Sequence, residues 1–390
     1  MDQPAQTRHF ALEELLPREP VQLDQEKIRE CVQNQVILVT GAAGSIGAEL
    51  CRQIARFKPS ALVAFDVAET PLFYLERELT AAFPGLALFA ELGSVTQPET
   101  LSRVMRAHKP AIVYHAAAYK HVPVLENQIY AAIENNIFGT WNVAEAAIQS
   151  GVSGFVLISS DKAVAPSSVM GATKRAAELI IRALHCESGT RFSAVRFGNV
   201  LGSAGSVVPI FEQQIAAGGP VTLTDPEMYR YFMTAPEAAQ LVLQAFAMGT
   251  GGEIFTLDMG EPVRILDLAQ TMIRLNGREP GKDILIECTG VRPGEKLMEQ
   301  LNRQDERMVP TSHEMIRSFA ATSTFSVRQI RSILDELQLA LSRENTRHAM
   351  TMLKKLVPDY IQEQKGPHAL QFQLDDVHPK SAESTVWMEI

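Results

Sequence analysis

The sequence predicts an α/β fold in which a doubly wound parallel sheet carries a smaller C-terminal lobe. Three observations lead there. From Val36 to about residue 200, short apolar runs alternate with segments of helical periodicity, the pattern of repeated strand–helix units with right-handed crossovers. The chain has 390 residues, more than one core usually serves, so two packed lobes are expected. After Asn199 the alternation loosens into shorter elements and Gly-Pro turns, as a lobe grafted onto the sheet would.

Each element follows from its local pattern. Residues 1–35 read as an N-terminal strap, with Leu12, Leu15 and Leu16 suggesting a short helix. Val36–Val39 is an apolar run ending at Thr40-Gly41, hence a buried strand. Helical segments are predicted over 48–57, 71–82, 96–108, 130–150 and 169–186, and strands over 61–65, 87–92, 111–115, 155–160 and 192–197. The main domain is expected to span 36–200, with its sheet completed by later segments. A substrate lobe is expected over 201–310, helical segments over 311–362 and a polar tail over 363–390.

Composition narrows the function. A net charge of −9 argues against a nucleic-acid partner, which favours a basic face, but leaves room for a phosphorylated small ligand. Cys31, Cys51, Cys186 and Cys288 form no C-x-x-C pair, so they read as free thiols and no metal site is expected. The sequence has no apolar run of transmembrane length and no signal-peptide pattern, so an integral membrane segment is not expected and the chain reads as cytoplasmic.

Between the first strand and its helix lies Thr40-Gly41-Ala42-Ala43-Gly44-Ser45-Ile46-Gly47. Gly41 permits a tight turn, Gly44 lets the backbone approach a pyrophosphate, and Gly47 lets helix and strand pack closely. The helix N-terminus offers free N–H groups to the phosphates, with Ser45 and Ile46 in its first turn. Asp66 closes the next strand, where a carboxylate binds ribose hydroxyls, and Glu69 follows it. This is a Rossmann dinucleotide site. With no Arg or Lys beside Asp66, a 2′-phosphate would meet an unscreened carboxylate, so NAD is expected over NADP. The G-x-x-G-x-x-G spacing resembles the extended short-chain dehydrogenase/reductase superfamily. That resemblance implies an adenine contact at Gly93-Ser94-Val95 and small residues, Ala116-Ala117-Ala118, beneath the dinucleotide.

The same resemblance calls for Tyr-x-x-x-Lys on the helix after strand five. Here that helix reads Met170-Gly171-Ala172-Thr173-Lys174, so Lys174 is in register but a methionine stands where a phenol should transfer protons. Together with Ser160-Asp161-Lys162, this segment resembles the bacterial polysaccharide-biosynthesis family of UDP-N-acetylglucosamine 4,6-dehydratases. The likeness extends to residues 115–123, 196–202, 226–233, 257–262 and 292–296, and to the strap over 15–23. It implies a soluble form without the membrane part of longer members. It also implies oxidation at C4 of the sugar, loss of water across C5 and C6, and return of hydride to C6, a lyase reaction without net redox. Acid and base must then stand side by side. The resemblance gives the C5 base to Lys162, the acid at O6 to Asp161 and a hydrogen bond at O4 to Ser160. Met170 forms the site floor, and Lys174 is a ribose ligand or a neighbouring cation.

For the substrate end, Arg230 and Arg292 suit a diphosphate, since guanidinium matches phosphate bidentately. Asn199, Lys120 and His121 are placed to meet the sugar, and Glu295 the uridine ribose. The expected partner is UDP-N-acetylglucosamine or a similar UDP-sugar, turned over with retention at C5 by a homo-oligomer. A 5-inverting dehydratase, a UDP-sugar 4-epimerase and a non-catalytic NAD-sensing regulator stay open as alternatives.

Overall fold

The structure, a computed structural model, describes residues 21–303, 306, 308–319 and 325–362. The proposed helix around Leu12–Leu16 and the polar tail from 363 lie outside these residues.

Six parallel strands follow from the apolar runs: β1 (Val36–Thr40), β2 (Ala61–Asp66), β3 (Leu88–Leu92), β4 (Ile112–His115), β5 (Gly154–Ile158) and β6 (Arg191–Arg196). β7 (Ile254–Leu257) adds in parallel to β6, while β8 (Met308–Pro310) and β9 (Ile316–Phe319) extend the sheet antiparallel. The order is β8-β9-β7-β6-β5-β4-β1-β2-β3. The chain therefore winds outward from β1 in one direction and from β4 in the other, and the crevice of a doubly wound sheet opens where the order reverses, between β1 and β4.

Two apolar layers cover the sheet. One contains α1 (Gln25–Val32), α2 (Ser45–Arg56), α3 (Glu69–Ala82) and α8 (Ala235–Met248). The other contains α4 (Pro98–His108), α5 (Gly139–Gln149) and α6 (Val169–Glu187), with α10 (Val327–Ser342) and α11 (Thr346–Leu356) outside them. α6 lies between the sheet and this outer pair, so every residue from Val169 to Leu184 is buried, polar ones included. A third, separate cluster joins α7 (Val207–Ala216) and α9 (Ile265–Leu275) to short strands at Val221–Leu223 and Ile286–Cys288.

The helix predicted over 130–150 is interrupted. Ile133–Phe138 forms a π-helical stretch between Ile129–Ala132 and α5. The bulge carries Asn136, whose amide accepts from the Tyr119 N–H at 2.8 Å and donates to the Tyr119 carbonyl and the Thr173 hydroxyl, both at 3.0 Å. Such bulges add a residue to a turn and gather at functional sites. Here the bulge presents an amide to the loop after β4 and to α6 together.

Candidate active site

A groove at the switch point is lined by Gly41, Ala43, Gly44, Phe65, Asp66, Val67, Ala68, Gly93, Ser94, Val95, Ala116, Ala117, Ala118, Tyr119 and Asn135. Its floor is fixed by backbone contact. Gly41 adopts φ +66°, and a Cβ there would lie 2.5 Å from the Ala117 nitrogen. A Cβ on Gly47 would lie 2.0 Å from the Gly41 carbonyl oxygen, so α2 seats directly on the turn. Gly44 occupies the N-cap of α2 and supplies no side-chain cap, which leaves the first N–H groups for a ligand. Asp66 is held rigidly: Oδ2 accepts from the Ala43 N–H and Oδ1 from the Ala68 N–H, each at 2.8 Å. Among the described residues, no lysine or arginine lines the groove. The donor ends of α2 and the fixed carboxylate fit a dinucleotide.

Of the residues predicted for this cofactor, Gly41, Gly44, Asp66, Gly93, Ser94, Val95 and the three alanines share the groove. Ser45, Ile46, Gly47, Glu69 and Lys174 lie outside its lining. The Ser45 hydroxyl accepts from the Ala204 N–H at 3.2 Å and so ties α2 to the loop before α7. Glu69 accepts from the Thr70 hydroxyl beside it. Ala43, Phe65, Val67, Ala68, Tyr119 and Asn135 join the lining through the fold, with no signal of their own in the sequence.

The second turn leaves β5. Ser160 caps a 3₁₀ turn, Asp161–Ala163, by accepting from the Lys162 N–H at 3.2 Å. Its hydroxyl donates to Asp161 Oδ1 at 2.9 Å. Lys162 Nζ donates to the same oxygen at 3.0 Å and to Asn199 Oδ1 at 3.4 Å. Asp161 is 1% exposed, and its Oδ2 has no hydrogen-bond partner. A buried carboxylate oxygen without a donor is costly and marks a place where a ligand hydroxyl completes the shell. α6 meets this turn at its first residues. Ser168 caps it, and a Cβ on Gly171 would lie 2.3 Å from the Lys162 carbonyl oxygen, so the residue after Met170 must be small. Met170 is buried.

Lys174 is buried too and donates to the Ile158 carbonyl at 2.6 Å. Burial pulls its ammonium down to about 8, against the opposing charge of Glu178. His115, at the end of β4, is pushed to about 3, first by burial and then by the charge of Lys174. Beneath both turns lies a network that the sequence pattern does not reveal. Glu178 accepts from the Ser159 hydroxyl at 2.6 Å and from Arg196 at 2.7 Å through both oxygens; Arg196 also reaches Glu306. Burial alone would raise the Glu178 carboxyl, but Arg196, Arg175 and Ser159 outweigh it and hold it at about 2. Glu178 and Glu306 could as well be surface charges by type alone, so no sequence signal marks them, although Arg196 lies in the family-like stretch 196–202.

The substrate-end candidates separate into two groups. Asn199 touches Lys162 directly. Arg230 is buried and donates to the Tyr229 and Leu297 carbonyls, while Arg292 and Glu295 pair with each other at 2.6 Å. Lys120 and His121 follow β4 on an exposed loop, with the His121 ring against Gly205. The segment carrying Arg292 and Glu295 also brings Glu299 to 3.8 Å from Lys162 Nζ.

Comparison with known proteins identifies the family and the fold. Residues 37–321 match the family described as polysaccharide biosynthesis protein. The capsular polysaccharide biosynthesis protein CapD of Staphylococcus aureus is 53% identical over 297 residues, 76% of this chain and 49% of its own. The chain thus spans about half the length of that relative. A Campylobacter jejuni protein named UDP-N-acetylglucosamine 4,6-dehydratase (inverting) is 34% identical over 275 residues, covering 69% of this chain and 78% of its own. Among solved structures, Pen from Bacillus thuringiensis superposes with a TM-score of 0.69 at 31% identity, over 78% of this chain and 98% of its own. The expectation of retention at C5 gains no support here, since the Campylobacter relative is named for inversion.

Among the described residues, no helix is long and apolar enough to cross a membrane.

Proposed function

This chain belongs to the polysaccharide biosynthesis protein family, and on that premise we propose that it binds NAD and removes water from UDP-N-acetylglucosamine to give a UDP-4-keto-6-deoxy-N-acetylhexosamine, as a hydro-lyase. The observation that carries the reading is the pair of buried Asp161 and half-buried Lys162 at 3.0 Å, with Asp161 Oδ2 still unpartnered, at the C-terminal end of β5.

Bound NAD supplies the acceptor for the C4 hydride and its later donor to C6. The α2 N-terminus with Gly41 and Gly44 would take the pyrophosphate and Asp66 the ribose hydroxyls, and an uncompensated carboxylate there favours NAD over NADP. Lys174 would lie under the nicotinamide end. The remaining chemistry is proton transfer, and the pair is suited to it. Shifting one proton from Lys162 Nζ to Asp161 Oδ1 along their hydrogen bond turns an ion pair into a neutral acid beside a neutral amine. The proton count of the site does not change. Exclusion of water by a bound sugar penalises the charged form and favours that shift. The amine of Lys162 then takes H5 of the 4-keto sugar, Asp161 gives its proton to O6, and water leaves. Both residues are back in their starting forms. The Ser160 hydroxyl, bonded to Asp161, relays to solvent the O4 proton that Met170 has no means to accept, and C5 takes one proton from solvent when C6 is reduced, so the protons of the cycle balance.

Arg230, Arg292, Asn199, Glu295, Lys120 and His121 would hold the nucleotide and sugar. For the course at C5, inversion is the better supported outcome, because relatives that name a course are inverting. The four cysteines are free, which suits the reducing cytoplasm.

Incubation with UDP-N-acetylglucosamine in deuterated water, followed by NMR of the product, tests the proposal. A C6 methyl signal with deuterium at C5 is expected, and the C5 coupling constants report the configuration. A product that keeps its hydroxymethyl group and changes only at C4 would make the protein an epimerase. NAD binding without calorimetric binding of UDP-N-acetylglucosamine would make it a regulator.

A further inference from the structure

Lys162 stands between two carboxylates. Asp161, its chain neighbour, accepts from Nζ at 3.0 Å, and Glu299, from the substrate-end segment, places Oε1 3.8 Å from the same nitrogen. Glu299 is 4% exposed. Its other oxygen ion-pairs with Lys296 at 3.3 Å but receives no well-directed hydrogen bond. Lys296 donates to the Val164 carbonyl at 3.0 Å, on the catalytic turn itself. The two segments touch along their length. Ser167 donates to the Gly294 carbonyl at 3.1 Å, and a Cβ on Gly294 would lie 2.8 Å from that of Ser168.

Two carboxylates around one ammonium oppose its use as a base, because each favours the protonated form. Asp161 is no obstacle, since it is the group that receives the proton. Glu299 is one, unless its charge is engaged elsewhere. The charged and titratable groups facing Lys162 are Asp161 from its own turn and Glu299 from the 292–299 segment, with Lys296 behind Glu299; Tyr231 lies across Asp161. Lys296 is therefore the cation that offsets Glu299, anchored for that purpose to the backbone of the turn it serves.

Resting on the reading of Lys162 as the C5 base, we propose that Lys296 is a positioning residue that ties up the Glu299 carboxylate and so leaves Lys162 able to pass its proton to Asp161. Lys296→Gln should then let Glu299 turn to Lys162 and hold its proton.

The test is a double-mutant comparison of the steady-state conversion of UDP-N-acetylglucosamine. Lys296→Gln is expected to lower kcat by about tenfold or more, as when passing the proton from Lys162 to Asp161 becomes about 1.4 kcal/mol less favourable, with KM little changed. Adding Glu299→Gln should restore the rate to within about threefold of wild type, which no purely structural role for Lys296 would produce. Lys296→Arg, which keeps the charge, should stay near wild type and guards against a folding defect in the Gln variant; NAD titration checks the fold of each protein. A Lys296→Gln enzyme as fast as wild type, or a double variant as slow as the single one, overturns the inference while leaving the dehydratase reading intact. A wild-type enzyme that leaves UDP-N-acetylglucosamine unchanged overturns both.

Discussion

The turns after β1 and β5 open on the same end of the sheet, yet they are built by opposite means. The β1 turn is held by its own backbone. Gly41 and Gly47 bring main-chain atoms so close that no side chain fits, Gly44 is only slightly less tight, and Asp66 is locked by two neighbouring N–H groups. The β5 turn is held by side chains from distant segments: Asn199, Lys296 and Glu299 all reach it. A backbone-built turn gives a rigid, shape-selective cradle that needs no particular charge. A side-chain-built turn places charges whose balance is adjustable, which is what proton transfer requires.

If that division of labour is right, the largest effect comes from the β5 turn and leaves the cradle untouched. Asp161→Asn removes the group that exchanges a proton with Lys162, so kcat should fall by about 10³-fold, within the range for loss of a general acid or base. The affinity for NAD, read by fluorescence titration, should not move. Parallel loss of NAD binding would show that the two turns form one unit.

The converse substitution is Gly47→Ala. Its Cβ would need space 2.0 Å from the Gly41 oxygen, so α2 must shift off the turn. We expect a loss of about 1–3 kcal/mol in stability, the usual cost of overpacking, and weaker NAD binding with it. Thermal unfolding and the same titration measure both. Normal binding by this variant would mean that the cradle tolerates movement and that the contrast between the turns is overstated.

The contrast also explains what was legible in the sequence. The β1 turn is local: three glycines, a flanking strand and helix, and Asp66 appear in one short stretch, so fold and cofactor site read directly from the order of residues. Asp161 and Lys162 were legible through their resemblance to a family, not through any physical rule. Glu299 was not, because an acidic residue three positions after a lysine is ordinary on any helix or loop, and only the folded chain brings it to Lys162. Glu178 failed for the same reason, being a surface-type residue that only the folded chain buries against Arg196, itself within the family-like stretch 196–202. The π-helical stretch around Asn136 was invisible because one extra residue in a turn leaves the apolar pattern nearly unchanged.

The smallest effect probes the strand between the two turns. β4 pairs with both β1 and β5, and His115 at its end touches each side: Nδ1 lies 2.7 Å from the Thr40 hydroxyl, and the ring feels the charge of Lys174. The Thr140 hydroxyl gives its proton to the Asn136 carbonyl at 2.7 Å, so its contact with His115 Nε2 at 3.1 Å must be donated by the ring. Nδ1 is then the acceptor from Thr40, and the folded ring is neutral. Protonation would break that bond inside a buried site, in keeping with a value near 3 against 6.5 for a free histidine. Below pH 6.5 the unfolded chain takes up a proton that the folded chain refuses, so stability falls as the pH drops through this window. A fall of about 1.5 in pH, at about 1.4 kcal/mol for each pH unit, gives a loss of about 2 kcal/mol by pH 5. The loss continues toward pH 3, where the folded ring finally titrates. Glu178, at about 2, holds its charge throughout and adds its own loss only below the ordinary glutamate value of 4.5. Denaturant unfolding at pH 7 and pH 5 measures the difference, and His115→Gln should remove most of it. An equal slope in that variant would assign the acid sensitivity to other groups, leaving the two turns linked by packing alone.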